Sequence, residues 1–321
     1  MVESIRPGAA GLVAADRPPL IRVNPGGARC VQNERKHTTE GAMSYHSFLV
    51  HVDDSEHATR RIQVATKLAL AFAADLEGVY AVPTREMTPF TSAILPDAVV
   101  AHRLRDSGDA QALAEIRFRE AAALAGLSEV TFTAPAGPPI DAAIHHTRYA
   151  DLGIFGQPRP EDEHAAFADE LVHGVLLGAG RPLLLVPYFG EFPTIGQNVL
   201  IAWKETRESA IAVRDSLPLL ANARKVVVMS ITAPGDDEVR ETLSDAGIAG
   251  WLARHGIEAT VRHEVAADID VGNLLLSRAA DLSSDLVVMG AYSRTRMSER
   301  VWGGVTRLML QAMTLPVLMS H

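Results

Sequence analysis

Cysteine is nearly missing from this chain. Cys30 stands alone among 321 residues, so no disulfide can close within it. That fits a reducing compartment, and a cytoplasmic location is expected. Aromatic residues are scarce at 5%, and residues 1–42 have none at all. Those residues carry Pro7-Gly8, Pro18-Pro19 and Pro25-Gly26-Gly27 instead, a composition unable to bury much apolar surface. Residues 1–43 are therefore read as a disordered extension. Met43 directly precedes the first strand pattern, so the extension is either an artefact ahead of the natural start or a regulatory tail.

Long apolar runs are also lacking. The longest, Leu68 to Ala74, is too short to cross a bilayer. No basic segment leads into an apolar one near the start, which excludes a secretory signal there. Basic residues are outnumbered: the net charge is −9 and the pI about 5.7. Non-specific nucleic-acid binding needs a basic surface, so that class is disfavoured. The catalytic patterns G-x-S-x-G, H-E-x-x-H and G-x-x-x-x-G-K-[ST] do not occur, and nothing resembles an activated nucleophile. An enzyme is not expected.

What the chain does have is alternation. Strand patterns at His46–Val52, Leu76–Val82, Val130–Ala134, Leu152–Phe155 and Leu183–Pro187 are separated by helical ones. The first helix shows Ala58, Ile62, Ala65, Ala69 and Phe72 on one face, with Ser55 as its expected cap. The second, Asp97 to Gly126, is expected to break near Ser107-Gly108. Pro83 to Pro96 reads as a loop, and Pro139–Ala150 and Phe167–Leu177 as further helices. The order then repeats after a linker, Tyr188 to Asn198. Strands are expected at Val199–Ala202, Lys225–Ile231, Ala259–Glu264, Leu286–Met289 and Pro316–Met319. Helices are expected over Glu205–Leu220, Asp237–His255 and Val271–Ser283, with a last one carrying Val301, Val305 and Leu308.

Two landmarks turn this order into an internal duplication. Asp151-Leu-Gly-Ile-Phe-Gly156 matches Asp285-Leu-Val-Val-Met-Gly290 at an offset of 134 residues, and Pro182-Leu-Leu matches Pro316-Val-Leu at the same offset. The expected fold class is α/β: two repeated, doubly wound, five-stranded parallel-sheet domains, at 44–188 and 198–321. Ligands of such sheets bind beyond the C-terminal strand ends, where Asp53, Lys204 and Gly290 should fall. The stretch Asp285–Thr306 runs from strand to glycine to Ser- and Arg-rich loop to helix, an arrangement whose backbone N–H groups can cradle an anion.

On these residues the chain resembles the universal stress protein family in its tandem two-domain form, over residues 44–320. In the family's ATP-binding branch a glycine, two residues, a second glycine, nine residues, and then glycine plus Ser or Thr close around phosphates. The matching positions here are Gly290, Ser293, Gly303 and Gly304, with Thr306 nearby. Ser293 replaces a glycine, and Gly304 replaces the hydroxyl residue. The resemblance implies ATP or another adenine nucleotide in the second half. Gly290, Ser293, Gly303 and Gly304 would form the cradle, flanked by Met289, Val305 and Thr306. Arg294 and Lys204 would be counter-charges, beside Arg296 and Arg300.

The family's acidic residue after the first strand is matched by Asp53 in Val52-Asp53-Asp54-Ser55, but by Lys204 in the second half. Asp169 and Glu170 stand where Gly303 and Gly304 stand, so the first half is expected to bind no nucleotide. The resemblance also implies pairing of last strands, either inside the chain as a pseudo-dimer or in a homodimer. A non-nucleotide interaction module is the alternative reading. No metal is expected: His145 and His146 diverge on a helix, and His51 and His57 have no cysteine partner. Trp203 is expected in the core.

Overall fold

Each copy of the repeated Asp-Leu stretch begins with the same anchor. Asp151 Oδ2 accepts the backbone N–H groups of His46 (2.7 Å) and Ser47 (3.1 Å). Asp285 accepts those of Gln197 (3.1 Å) and Asn198 (2.9 Å). In both halves a carboxylate at the entrance of the fourth strand therefore holds the entrance of the first.

These contacts come from a computed structural model that describes residues 44–55, 57–83, 97–161, 165–232, 238–266, 269–292 and 304–321, and for 97–106 and 238–244 the backbone alone. The tail expected to be disordered (1–43) and the loop 84–96 lie outside these residues.

The first half contains β1 (Ser47–Val52), α1 (Ala58–Phe72), β2 (Asp75–Tyr80), α2 (Asp97–Leu124), β3 (Thr131–Thr133), α3 (Pro139–Thr147), β4 (Leu152–Gly156), α4 (Ala165–Gly178) and β5 (Leu183–Val186). The second contains β6 (Asn198–Trp203), α5 (Arg207–Leu220), β7 (Lys225–Thr232), α6 (Glu238–Arg254), β8 (Ala259–Val265), α7 (Val271–Asp281), β9 (Leu286–Gly290), α8 (Gly304–Ala312) and β10 (Val317–Ser320). Residues Ala42–His321 form one unit. Their strands lie in the order β3-β2-β1-β4-β5-β10-β9-β6-β7-β8. Within each half every neighbouring pair is parallel.

The halves meet through their last strands. β10 runs antiparallel to β5, with Val317 opposite Leu185, Leu318 opposite Leu184 and Met319 opposite Leu183. The pairing expected of last strands is thus made inside the chain. Strand alternation carries two apolar layers across this join. Val50, Leu184 and Leu318 share one, and Leu49, Leu185 and Val317 the other. Leu184 and Leu318 are fully buried, each side chain contributing about 2 kcal/mol relative to exposure. Polar contacts reinforce the join. Tyr45 Oη donates to the Asp215 carbonyl (2.6 Å) and Gln157 Nε2 to the Leu310 carbonyl (3.0 Å), while Ser320 Oγ holds Asp215 Oδ2 (3.0 Å) from within the second half.

Two local expectations are corrected. α2 runs unbroken through Ser107-Gly108. A Cβ at Gly108 would meet nothing within 4 Å, so this exposed glycine costs only about 1 kcal/mol of helix propensity and does not end the helix. Ser55 is not the cap of α1. The helix starts later, behind His57, which makes no side-chain cap bond, and Ser55 Oγ donates to Asp53 Oδ1 (2.6 Å) instead. α5, by contrast, has a side-chain cap: Thr206 accepts from the Ser209 N–H (3.3 Å).

Candidate functional site

The direction of winding reverses between β1 and β4 in one half and between β6 and β9 in the other. A cleft opens at each reversal, beyond the C-terminal strand ends, where α/β sheets bind ligands.

The second-half cleft has a volume of about 320 Å³. β6 supplies Ala202 and Trp203, followed by Lys204. β9 supplies Met289 and Gly290. Thr206, Glu208 and Ser209 come from the start of α5, and Val305 and Thr306 from the first turn of α8. Glu208 is 2% exposed, and its Oε1 has no hydrogen-bond partner; Arg207 Nη1 stands 3.8 Å from it. Thr306 Oγ1 accepts the Tyr292 N–H (3.3 Å), pinning a residue whose φ is 54°. The Tyr292 ring packs 5.7 Å from that of His173 in the first half. Burial, and then the Asp169 charge, push its phenol well above the usual range.

The first-half cleft has a volume of about 280 Å³. Here a buried ion pair dominates. Arg61, on α1, donates through Nε to the His51 carbonyl (2.6 Å) and through Nη2 to Asp53 Oδ2 (2.8 Å). Burial alone would raise Asp53, but the Arg61 charge and the Ser55 hydrogen bonds hold it well below the usual carboxylate range. His51 Nε2 lies 2.9 Å from the Ala81 carbonyl. Burial, and secondarily Arg61, push this imidazole down to about 4. It is therefore neutral near pH 7, so Nε2 carries the proton and donates to Ala81.

No protein-family model and no curated protein sequence matches the chain. Solved structures do. A universal stress protein from Archaeoglobus fulgidus DSM 4304 superposes with a TM-score of 0.64 at 12% identity, covering 85% of this chain and 97% of its own. The chain has the universal stress protein fold. A functionally unknown protein from Pseudomonas aeruginosa PAO1 superposes with a TM-score of 0.52 at 16% identity, covering 86% of this chain and 92% of its own. A universal stress protein in complex with cAMP covers 45% of this chain and 98% of its own, at 20% identity and a TM-score of 0.35.

Within this universal stress fold the residues implied by the resemblance fall unevenly. Lys204, Met289, Gly290, Val305 and Thr306 come together around the second cleft. Gly304 opens α8 but is exposed, with nothing within 4 Å of a would-be Cβ. Ser293, Arg294, Arg296, Arg300 and Gly303 lie outside the described residues. Gly290 is required by close approach rather than by turn geometry. A Cβ there would stand 2.5 Å from both Glu208 C and Ser209 N, so the end of β9 passes directly beneath the first turn of α5. Asp169 and Glu170 are not at a helix start. α4 begins at Ala165, so their N–H groups are already inside the helix. Trp203 is half-buried, packing on the core while lining the cleft.

Two residues escaped sequence reasoning. Arg61 sits three positions after Ala58, on the same helical stripe as Ile62 and Ala65, and a charged residue on an apolar stripe was the available signal. Glu208 carries only the signal of an acidic residue in a first helical turn, which is common for dipole reasons alone. Among the described residues no group of three or more His, Cys, Asp or Glu could hold a metal ion, and no helix is long and apolar enough to cross a membrane.

Proposed function

We propose that this chain is a non-catalytic small-molecule-binding module of stress response or signalling, located in the cytoplasm, and that its second half takes ATP or another adenine nucleotide. One observation carries the reading: the cleft between β6 and β9 brings Lys204 together with Glu208, whose buried Oε1 accepts no hydrogen bond among the described residues. A nucleotide offers both complements. Its phosphates suit the Lys204 ammonium, and its ribose hydroxyls or exocyclic amine are donors for Glu208. A buried acceptor oxygen that lacks a hydrogen bond gains about 1 kcal/mol from a bound donor. Thr306 and the start of α8 stand beside the same opening, where helix N–H groups favour anions. The first half is the poorer nucleotide site in this reading, because Asp53 and Asp54 line its cleft.

Isothermal titration of the full chain with ATP, ADP and adenosine tests the reading. Saturable heat below millimolar ATP is expected, with no phosphate release beyond the uncatalysed rate. Absence of heat at millimolar concentrations of all three ligands removes the nucleotide claim. The alternative, an interaction module working through last strands, loses its free edge here, because β5 and β10 already pair with each other. A homodimer would have to form through another face.

A further inference from the structure

The first-half cleft is a different kind of site. Much of its wall is apolar, from Phe155, Phe167, Leu171, Val172 and Val186, beside a polar stretch with Asp53, Asp54, Ser55, His57 and Arg159. Arg61 lines the same space and is 5% exposed. Two of its guanidinium nitrogens are engaged, Nε by the His51 carbonyl and Nη2 by Asp53. The third, Nη1, makes no hydrogen bond among the described residues and lies against Gly156, itself part of the cleft lining. An arginine fork fixed at two nitrogens holds the third in a set direction. It is a donor without a protein acceptor at the wall of a largely apolar cleft, where a ligand oxygen could take it.

The charges decide what the acceptor can be. Asp53 already neutralises the guanidinium, and Asp54 lines the same cleft. A second anion beside Arg61 would also stand beside Asp53. A neutral oxygen acceptor meets no such repulsion. The other cation of the lining, Arg159, already faces Glu161 (3.4 Å) and His57 (3.0 Å), and His51 is uncharged near pH 7.

We propose that the first half binds a small, mostly apolar, uncharged molecule through a carbonyl-type oxygen that accepts from Arg61 Nη1, a ligand class distinct from the nucleotide proposed for the second half. The apolar walls supply most of the affinity, and Arg61 fixes orientation, as in small-molecule sites generally. Gly156 belongs to the device, because a side chain there would occupy the space of Nη1.

The test is saturation-transfer NMR on the full chain with three probes of one shape: benzamide, benzoate and benzylamine. Benzamide is expected to bind, benzoate to bind several-fold more weakly, and benzylamine to give no signal. Two variants assign the site. Ala168→Trp fills the cleft from half-buried Ala168 on α4 and is expected to abolish the benzamide signal. Arg61→Lys keeps an ion pair with Asp53 but removes the spare fork nitrogen, and is expected to weaken benzamide about fivefold or more. Thermal melts confirm that both variants fold. ATP titration of the same samples reads the second half separately, so failure of one proposal is distinguishable from failure of the other. The inference is overturned if benzamide does not bind, if either folded variant binds it as well as the parent does, or if benzylamine binds equally.

Discussion

Gly156 and Gly290 occupy equivalent positions at the ends of β4 and β9 but support different structures. Above Gly156 lies the end of a side chain, Arg61 Nη1; above Gly290 lies the backbone of α5, at Glu208 and Ser209. A side chain can swing aside, whereas a helix must be displaced whole. Gly290→Ala is therefore expected to cost about 3 kcal/mol or more, and Gly156→Ala about 1–2 kcal/mol, in urea denaturation. Equal costs would mean that β9 does not pass as close to α5 as described.

The paired anchors give a second expectation. Asp151→Ala and Asp285→Ala each strand two backbone N–H groups at a strand entrance. Each should destabilise by about 2 kcal/mol, and the double variant by roughly the sum, because the anchors share no partner. Denaturation midpoints at unchanged slope provide the check. A change below about 0.5 kcal/mol in either single variant would show that the anchor is dispensable.

Acid should weaken the fold in a defined window. His51 titrates near 4 in the folded chain and near its ordinary 6.5 when unfolded. Between these values only the unfolded chain binds the proton. Stability is therefore lost as pH falls from about 6.5 to about 4, by about 3 kcal/mol at the limit. Asp53 acts lower. Its depressed value gives stability that is present above its unfolded value near 3.9 and lost as pH falls further. His51→Asn should flatten the first window when urea midpoints are compared at pH 7 and pH 4.5. An unchanged slope would show that the imidazole is not held neutral.

The nucleotide reading separates two residues. Lys204→Ala should weaken ATP about tenfold while leaving adenosine nearly unchanged, because only ATP brings phosphates to the ammonium. Glu208→Gln should weaken ATP and adenosine alike, because both carry the donors it accepts. The reverse pattern in calorimetry would mean that the nucleotide lies the other way round in the cleft, with its base toward Lys204.

Architecture was legible because it repeats. Asp151 and Asp285 mark one position twice, and each turns out to close the same backbone contact, so the matched spacing reflected a shared structural need. The strands were legible because buried parallel strands are unbroken apolar runs, as at Leu286–Met289. What escaped depended on depth and contact. Gly108 reads as a helix breaker only if the cost of one exposed glycine is overrated. Gly290 reads as a turn until α5 is seen to lie over it. Arg61 drew no reading because one-dimensional spacing does not reveal that Asp53 and the His51 carbonyl will meet it inside.

The pairing of β5 with β10 has a further consequence. Because these strands run in opposite directions, the cleft of each half opens at the opposite margin of the common sheet. Influence between the two clefts has two paths among the described residues: the hydrogen-bonded strands with Leu184 and Leu318 at their midline, and the helices α4 and α8, where Tyr292 of one cleft packs on His173 and Gln157 of the other bonds the Leu310 carbonyl.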